Sequence, residues 1–249
     1  MVSIFLVWKT CRFKMHINFM EIKAILFDLG NTLVHYYQRG ESPAVLRECL
    51  HSAANVAGST TEPDDDGLFE RATRLNRDPG DYKVRTLANR LRDLFPACAA
   101  NPELLERVSR AFMTPIFARA RRDSSAIACL DELRRRGIPT AIVSNTPWGS
   151  PANLWREELE RHALSERVHT AVFCVDVGWR KPHEAPFVRA LELLGVPADQ
   201  AAFVGDEPVW DVEGARHAGL QPVLLTDRPG SVEADCTALT SLAGVLDLV

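Results

Sequence analysis

No stretch of this chain approaches the ~20 consecutive apolar residues of a membrane-spanning helix, which argues against a membrane protein. Positive charge is not in excess either. The chain has 29 Lys and Arg against 33 Asp and Glu, a net charge of −4, which argues against a general nucleic-acid binder. The six cysteines, at 11, 49, 98, 129, 174 and 236, contain no Cys-x-x-Cys pair. Reduced thiols in a cytoplasmic protein are therefore expected, rather than a disulfide frame or a zinc site. Cys129 and Cys174 lie in apolar runs and read as core residues. None of the seven histidines shows metal-ligand spacing. There is no Gly-x-x-x-x-Gly-Lys-Ser/Thr phosphate loop, and the Asn145–Pro151 segment contains no Gly-x-Ser-x-Gly elbow. What remains is an ordinary globular composition, 46% hydrophobic and 25% charged over 249 residues, enough for one large domain or a domain with an insertion.

The most informative stretch runs from Lys23 to Val34. Ala24 to Phe27 is an apolar run of four, followed at once by Asp28 and a Gly30-Asn31 turn signal. This reads as a short strand buried on both faces. A carboxylate at its carboxyl end either caps a turn or stands where open α/β sheets hold their ligands. Three later stretches favour the second reading. Ala141-Ile-Val ends in Ser144 and Asn145. Lys181 lies in Gly178-Trp-Arg-Lys-Pro182. Ala202-Phe-Val-Gly ends in Asp206, with Asp211 five residues on.

In this order and spacing the four stretches resemble the motifs of the haloacid dehalogenase-like (HAD) hydrolase superfamily, over roughly residues 20–249. The resemblance implies an α/β fold, a Rossmann-like parallel sheet core with helices on both faces, with an all-helical cap inserted between the first and second motifs. Residue patterning is consistent with that division. Residues 40–125 carry helical patterning and no good strand signal. Helices are expected over Ser42–Ala57, with Ser42 as N-cap, and over 67–77, 80–95 and 102–121. From Ser125 onward, helices and strands alternate. The strands are expected over Ile138–Val143, Thr170–Val175, Ala202–Val204 and Pro222–Leu225. The helices are expected over Ser125–Arg136, Ala152–His162, Glu184–Leu194 and Val212–Ala218. The expected division is residues 1–19 as an extension, 20–38 and 124–249 as core, and 39–123 as cap. Asp64, Asp65 and Asp66 read as a solvated helix N-terminus. Arginines 71, 74, 77, 85, 90 and 92 read as solvated faces, with room for one or two to face a substrate.

The resemblance also implies a chemistry. Asp28 would attack a phosphate ester and form an aspartyl-phosphate, which water then hydrolyses. Mg²⁺ would be held by Asp28, Asp206 and the backbone carbonyl of Gly30, with Asp211 as a further ligand or in the outer shell. Lys181 would bridge Asp28 and the phosphoryl oxygens, and the Ser144 hydroxyl and the Asn145 backbone N–H would bind the phosphate. The implied partner is a small phosphorylated metabolite, and the protein is expected to be a monomer or homodimer. One departure stands out. Phosphatases of this family usually carry a second Asp two residues after the nucleophile, and here that position is Gly30. The missing proton donor could be a cap residue, His35, His183, Glu184 or water. Three readings follow: an Mg²⁺-dependent phosphomonoesterase, a 2-haloacid dehalogenase, or a non-catalytic HAD-like domain that binds a ligand or partner. Asp206 speaks against the second. Trp148 either faces substrate or packs under the cap.

Overall fold

The computed structural model describes residues 21–59, 66–77, 79–228 and 236–249. Residues 1–19, Asp64 and Asp65, which carry expectations above, lie outside them. In chain order the elements are β1 (Ala24–Phe27), β2 (Val34–His35), α1 (Ser42–Ala57), α2 (Asp66–Leu75), α3 (Leu87–Leu94), α4 (Pro102–Ala118), β3 (Arg121–Arg122) and α5 (Ala126–Arg135). They continue with β4 (Thr140–Ser144), α6 (Ala152–Arg161), β5 (Thr170–Phe173), α7 (Cys174–Val177), α8 (Ala185–Leu194) and β6 (Ala201–Gly205). A π-helical turn over Pro208–Glu213, α9 (Gly214–His217), β7 (Gln221–Leu225) and β8 (Thr237–Leu239) complete the set.

Six strands form one sheet in the order β5-β4-β1-β6-β7-β8, every neighbouring pair parallel. Strand alternation explains how it is covered on both faces. Ala24 and Leu26 of β1 pack with Phe187 and Ala190 of α8 and Ala215 of α9. Ile25 and Phe27 point the other way, into a cluster containing Leu130 and Leu133 of α5 and Trp155 of α6. The chain leaves β1 for β4 and β5 on one side, then crosses to β6 and β7 on the other. The switch point, where a parallel sheet opens a crevice at its carboxyl edge, therefore falls at β1.

Helices α1 to α4 lie between β2 and β3, and α1 packs along α4. Val34 and His35 pair antiparallel with Arg122 and Arg121, so the two connections to this helical block form one small ribbon. The block rests on the core through aromatic pairs. Phe112 meets Trp148 at 5.3 Å, and Phe117 meets Trp155 at 5.1 Å between ring centroids. Trp148 thus packs under the helices.

The structure corrects several expectations. The helix expected over 80–95 begins only at Leu87. Gly80 and Tyr82 adopt positive φ, Lys83 bridges Trp179, and the Thr86 hydroxyl accepts from the Asn89 N–H at 3.3 Å to start the helix. Ser42 is not the N-cap of α1; Glu41 holds that position, and its carboxylate accepts from the Gln38 N–H at 2.8 Å. The strand expected to reach Val175 stops at Phe173, where the Asp176 carboxylate accepts the Phe173 N–H at 2.9 Å and opens α7. The two-residue strands β2 and β3, one of them two exposed arginines, are too short to leave a periodic signal. Arg90 alone among the six arginines is buried.

Candidate active site

The register brings three motif residues to one edge of the sheet, Ser144 and Asp206 one residue further along their strands than Asp28. Phe27 pairs with Ile142 of β4 and Val204 of β6, so the residues that follow on these strands emerge together at the carboxyl edge. Asp28 therefore stands between Ser144 and Asp206, and its N–H donates to the Val204 carbonyl at 2.8 Å. All three line one cavity of about 350 Å³, with Gly30, Asn145, Lys181, Glu207 and Asp211.

At its centre is Lys181, only 2% exposed. Its Nζ donates to Asp28 Oδ1 at 2.7 Å and to Asp211 Oδ1 at 2.6 Å. Burial alone would lower the ammonium's pKa, but the two carboxylates outweigh it and push the pKa up. Lys181 thus stays a cation at any working pH. Asn145 fixes its backbone. The Asn145 amide donates to the Lys181 carbonyl at 3.1 Å, and its carbonyl accepts the Lys181 N–H at 2.8 Å. Sequence reasoning assigned Asn145 only a backbone contact to phosphate; this reciprocal side-chain clamp links residues 36 positions apart and leaves no local signal.

Asp211 is returned to the site by the π-helical turn, a widened coil that recurs at functional positions. The Asp211 and Val212 N–H groups both donate to the Glu207 carbonyl, and the Asp211 carboxylate accepts the Glu207 N–H at 3.0 Å. Gly205 is required beneath it, because a Cβ there would come within 2.3 Å of Asp211 Oδ2. Gly205→Ala is expected to destabilise the protein by about 1–3 kcal/mol as an overpacking change, read as a Tm several degrees lower in a thermal melt.

One oxygen each from Asp28, Asp206 and Asp211 lie within 4.8 Å of one another. Three carboxylates face a single lysine, so negative charge is in excess. Burial first, then the charges of Asp28, Asp211 and Glu207, push the Asp206 carboxyl up to about 7. Burial raises Asp211 as well, against the pull of Lys181. A hard divalent cation is what this oxygen set suits.

Of the proton donors named from sequence, His35, His183 and Glu184 do not line this cavity, whereas Ser42, within the expected cap, does. His35 pairs with Asp123 at 3.4 Å, and His183 stacks on Trp179 at 4.1 Å between ring centroids. Glu184 precedes α8. Glu207, Tyr36 and Tyr37 line the cavity instead; none stands in a motif that would have singled it out.

Comparison with known proteins shows the family. A family model described as haloacid dehalogenase-like hydrolase matches residues 22–219. The glyceraldehyde 3-phosphate phosphatase of Methanopyrus kandleri is 27% identical over 81% of this chain and 83% of its own. The phosphoglycolate phosphatase of Rhodospirillum rubrum is 32% identical over 82% of this chain and 79% of its own. A crystal structure of a 2-haloacid dehalogenase from Pseudomonas syringae superposes with a TM-score of 0.64, covering 91% of this chain and 97% of the other at 22% identity, a likeness of fold alone. The chain belongs to the haloacid dehalogenase-like hydrolase family and is a hydrolase of its phosphatase type.

Proposed function

We propose that the protein is an Mg²⁺-dependent phosphomonoesterase acting on a small phosphorylated metabolite through an aspartyl-phosphate on Asp28. Residues 39–123 act as a cap over the site, hinged at the β2–β3 ribbon. The enzyme works in the cytoplasm as a monomer or homodimer, without nucleic-acid or membrane partners. Among the described residues no helix is long and apolar enough to cross a membrane. The observation that carries the reading is Lys181, buried and bonded to both Asp28 and Asp211 beside a third carboxylate.

The converging oxygens of Asp28, Asp206 and Asp211 fit Mg²⁺, and Gly30 lines the same cavity. When bound, the ion offsets the repulsion between an attacking carboxylate and a dianionic phosphate. The chain's own residues do the rest. Lys181 holds Asp28 in place and presents a permanent positive charge to the phosphoryl oxygens. Ser144 offers its hydroxyl to the same group. Asp28 attacks phosphorus, the P–O bond to the alcohol breaks, and the alcohol takes up a proton. Water then attacks the phosphoryl group and restores Asp28. Asn145 acts on Lys181 through its side-chain clamp and offers its backbone N–H to the phosphate.

The deciding measurement is phosphate release from a panel of small esters with Mg²⁺ and with chelator. Release that needs the metal supports the phosphatase. Metal-independent release of halide from 2-haloacids would favour a dehalogenase, and tight phosphate binding without turnover a binding domain. Mg²⁺ at 100 times its Kd should also stabilise the fold by about 2.7 kcal/mol. The Tm would rise roughly 5–10 °C, less so in Asp206→Asn.

Gly30→Asp tests the missing acid. A Cβ at Gly30 meets nothing within 4 Å, so the substitution starts without a clash. General acid–base help is typically worth ~10²–10⁴ in rate. Turnover is expected to rise at least tenfold, as a cautious share of that ~10²–10⁴ range. No gain would assign the proton to a group already on the wall, with Glu207 the acid beside Asp206.

A further inference from the structure

A second cavity of about 280 Å³ adjoins the first, sharing Tyr37, Ser42, Asn145, Pro147 and Trp210 as walls. Its charge is opposite. The first cavity carries Asp28, Asp206, Glu207 and Asp211 with Lys181. The second carries Arg77, Lys83, Arg85, Arg90 and Arg180, and among the described residues no acid lines it.

These cations are not equivalent. Arg85 is paired with the Asp81 carboxylate by two bonds, at 2.9 and 2.8 Å. Arg90 makes no ion pair with a carboxylate among the described residues. It is 7% exposed and donates only to carbonyls, those of Leu75 at 3.2 Å, Arg85 at 2.8 Å and Trp148 at 2.5 Å. Burial, then the like charges of Arg180 and Arg85, hold its guanidinium down to about 10, still charged at neutral pH. A buried charge left without an opposite charge is costly. An anion placed in this cavity would recover that cost. Guanidinium forks suit the planar or tetrahedral oxygens of a carboxylate or phosphate. The chamber's size suits a small group.

We propose that this basic cavity binds a second anionic group of the substrate. The substrate is then a phosphate monoester that also carries a carboxylate or a second phosphate. This rests on the phosphatase reading of the first cavity. The helical block supplies Arg77, Lys83 and Arg90, and the loop before Lys181 supplies Arg180. The second anion is thus gripped by both parts of the molecule while the ester phosphate sits at Asp28.

The test is calorimetric binding to full-length Asp28→Asn protein in Mg²⁺ at low salt. The probes are 2-phosphoglycolate, 2-hydroxyethyl phosphate and propane-1,3-diol bisphosphate. The first and third should bind roughly 10–100-fold tighter than the second, the value of a charge-assisted hydrogen-bonded pair. Whichever of the two binds tighter identifies the anion as carboxylate or phosphate. The gap should narrow in Arg77→Gln/Lys83→Gln, whose sites are exposed and safe for the fold, and in Arg180→Gln. Equal binding of all three probes overturns the proposal, as does a gap that survives both variants. Phosphate release by the wild type is read separately. Discrimination without turnover would leave the second site standing and remove the phosphatase. Turnover that ignores the second charge would do the reverse, and no binding of any probe removes both.

Discussion

Asp28→Asn is expected to reduce phosphate release by about 10⁴-fold or more while leaving the Tm within a few degrees of the wild type. Removing a nucleophile that forms a covalent intermediate is among the most damaging changes an active site can suffer. The fold is spared for an electrostatic reason. Asp28 forms one of two carboxylate contacts to Lys181, and the Asp211 contact at 2.6 Å remains. Replacing Asp28 also relieves its repulsion of Asp206, whose carboxyl that charge helps to raise. Phosphate release and a thermal melt on the same preparation check both halves. Activity near the wild type would end the covalent mechanism. A collapsed melt would make Asp28 a structural residue first.

Lys181→Met is expected to damage both stability and activity. The ammonium is buried with two carboxylates on it, and Asp28, Asp206 and Asp211 crowd within 4.8 Å. Removing one partner of a buried ion pair typically costs about 3–5 kcal/mol, because the remaining charge has neither water nor a counter-ion. For a chain of this size that corresponds to a Tm lower by roughly 10 °C. Adding Asp211→Asn to Lys181→Met should recover part of the loss, because the orphaned buried carboxylate goes with its partner. Turnover should fall at least about 10³-fold, since the charge facing the transferring phosphoryl group is lost. Melts of the two single variants and the double variant, with and without Mg²⁺, give the coupling directly. An unchanged Tm in Lys181→Met would show that the carboxylates are not charged together in the folded protein.

Much of this was legible before any coordinates. Three apolar runs end in polar or charged residues, and a carboxylate or hydroxyl at the end of a buried strand stands where open α/β sheets hold their ligands. Hence β1, β4 and β6 and their terminal Asp28, Ser144 and Asp206 could be read directly. So could Lys181, whose Gly-Trp-Arg-Lys-Pro setting matched a motif. Helix ends were legible where Gly marked them, as at Gly137 after α5 and Gly195 after α8, both in left-handed conformation. Regions without periodicity were read poorly. Residues 80–86 were expected to be helical, yet they are held against residues 178–180 by the Val84 N–H on the Gly178 carbonyl and the Arg180 N–H on the Tyr82 carbonyl.

The sequence by itself determined the parallel sheet and the helical block, because burial patterns are local properties of the chain, and its four motif stretches named the candidate carriers of chemistry. Only the tertiary structure decided how those carriers are held. The Asn145 clamp, the return of Asp211 through a widened turn over Gly205, and the burial of Arg90 beside Arg180 all join residues distant in sequence. Long-range pairing of this kind leaves no periodic trace. It is set by which side chains the packed core brings within hydrogen-bonding distance, and that is where one cavity became acidic and its neighbour basic.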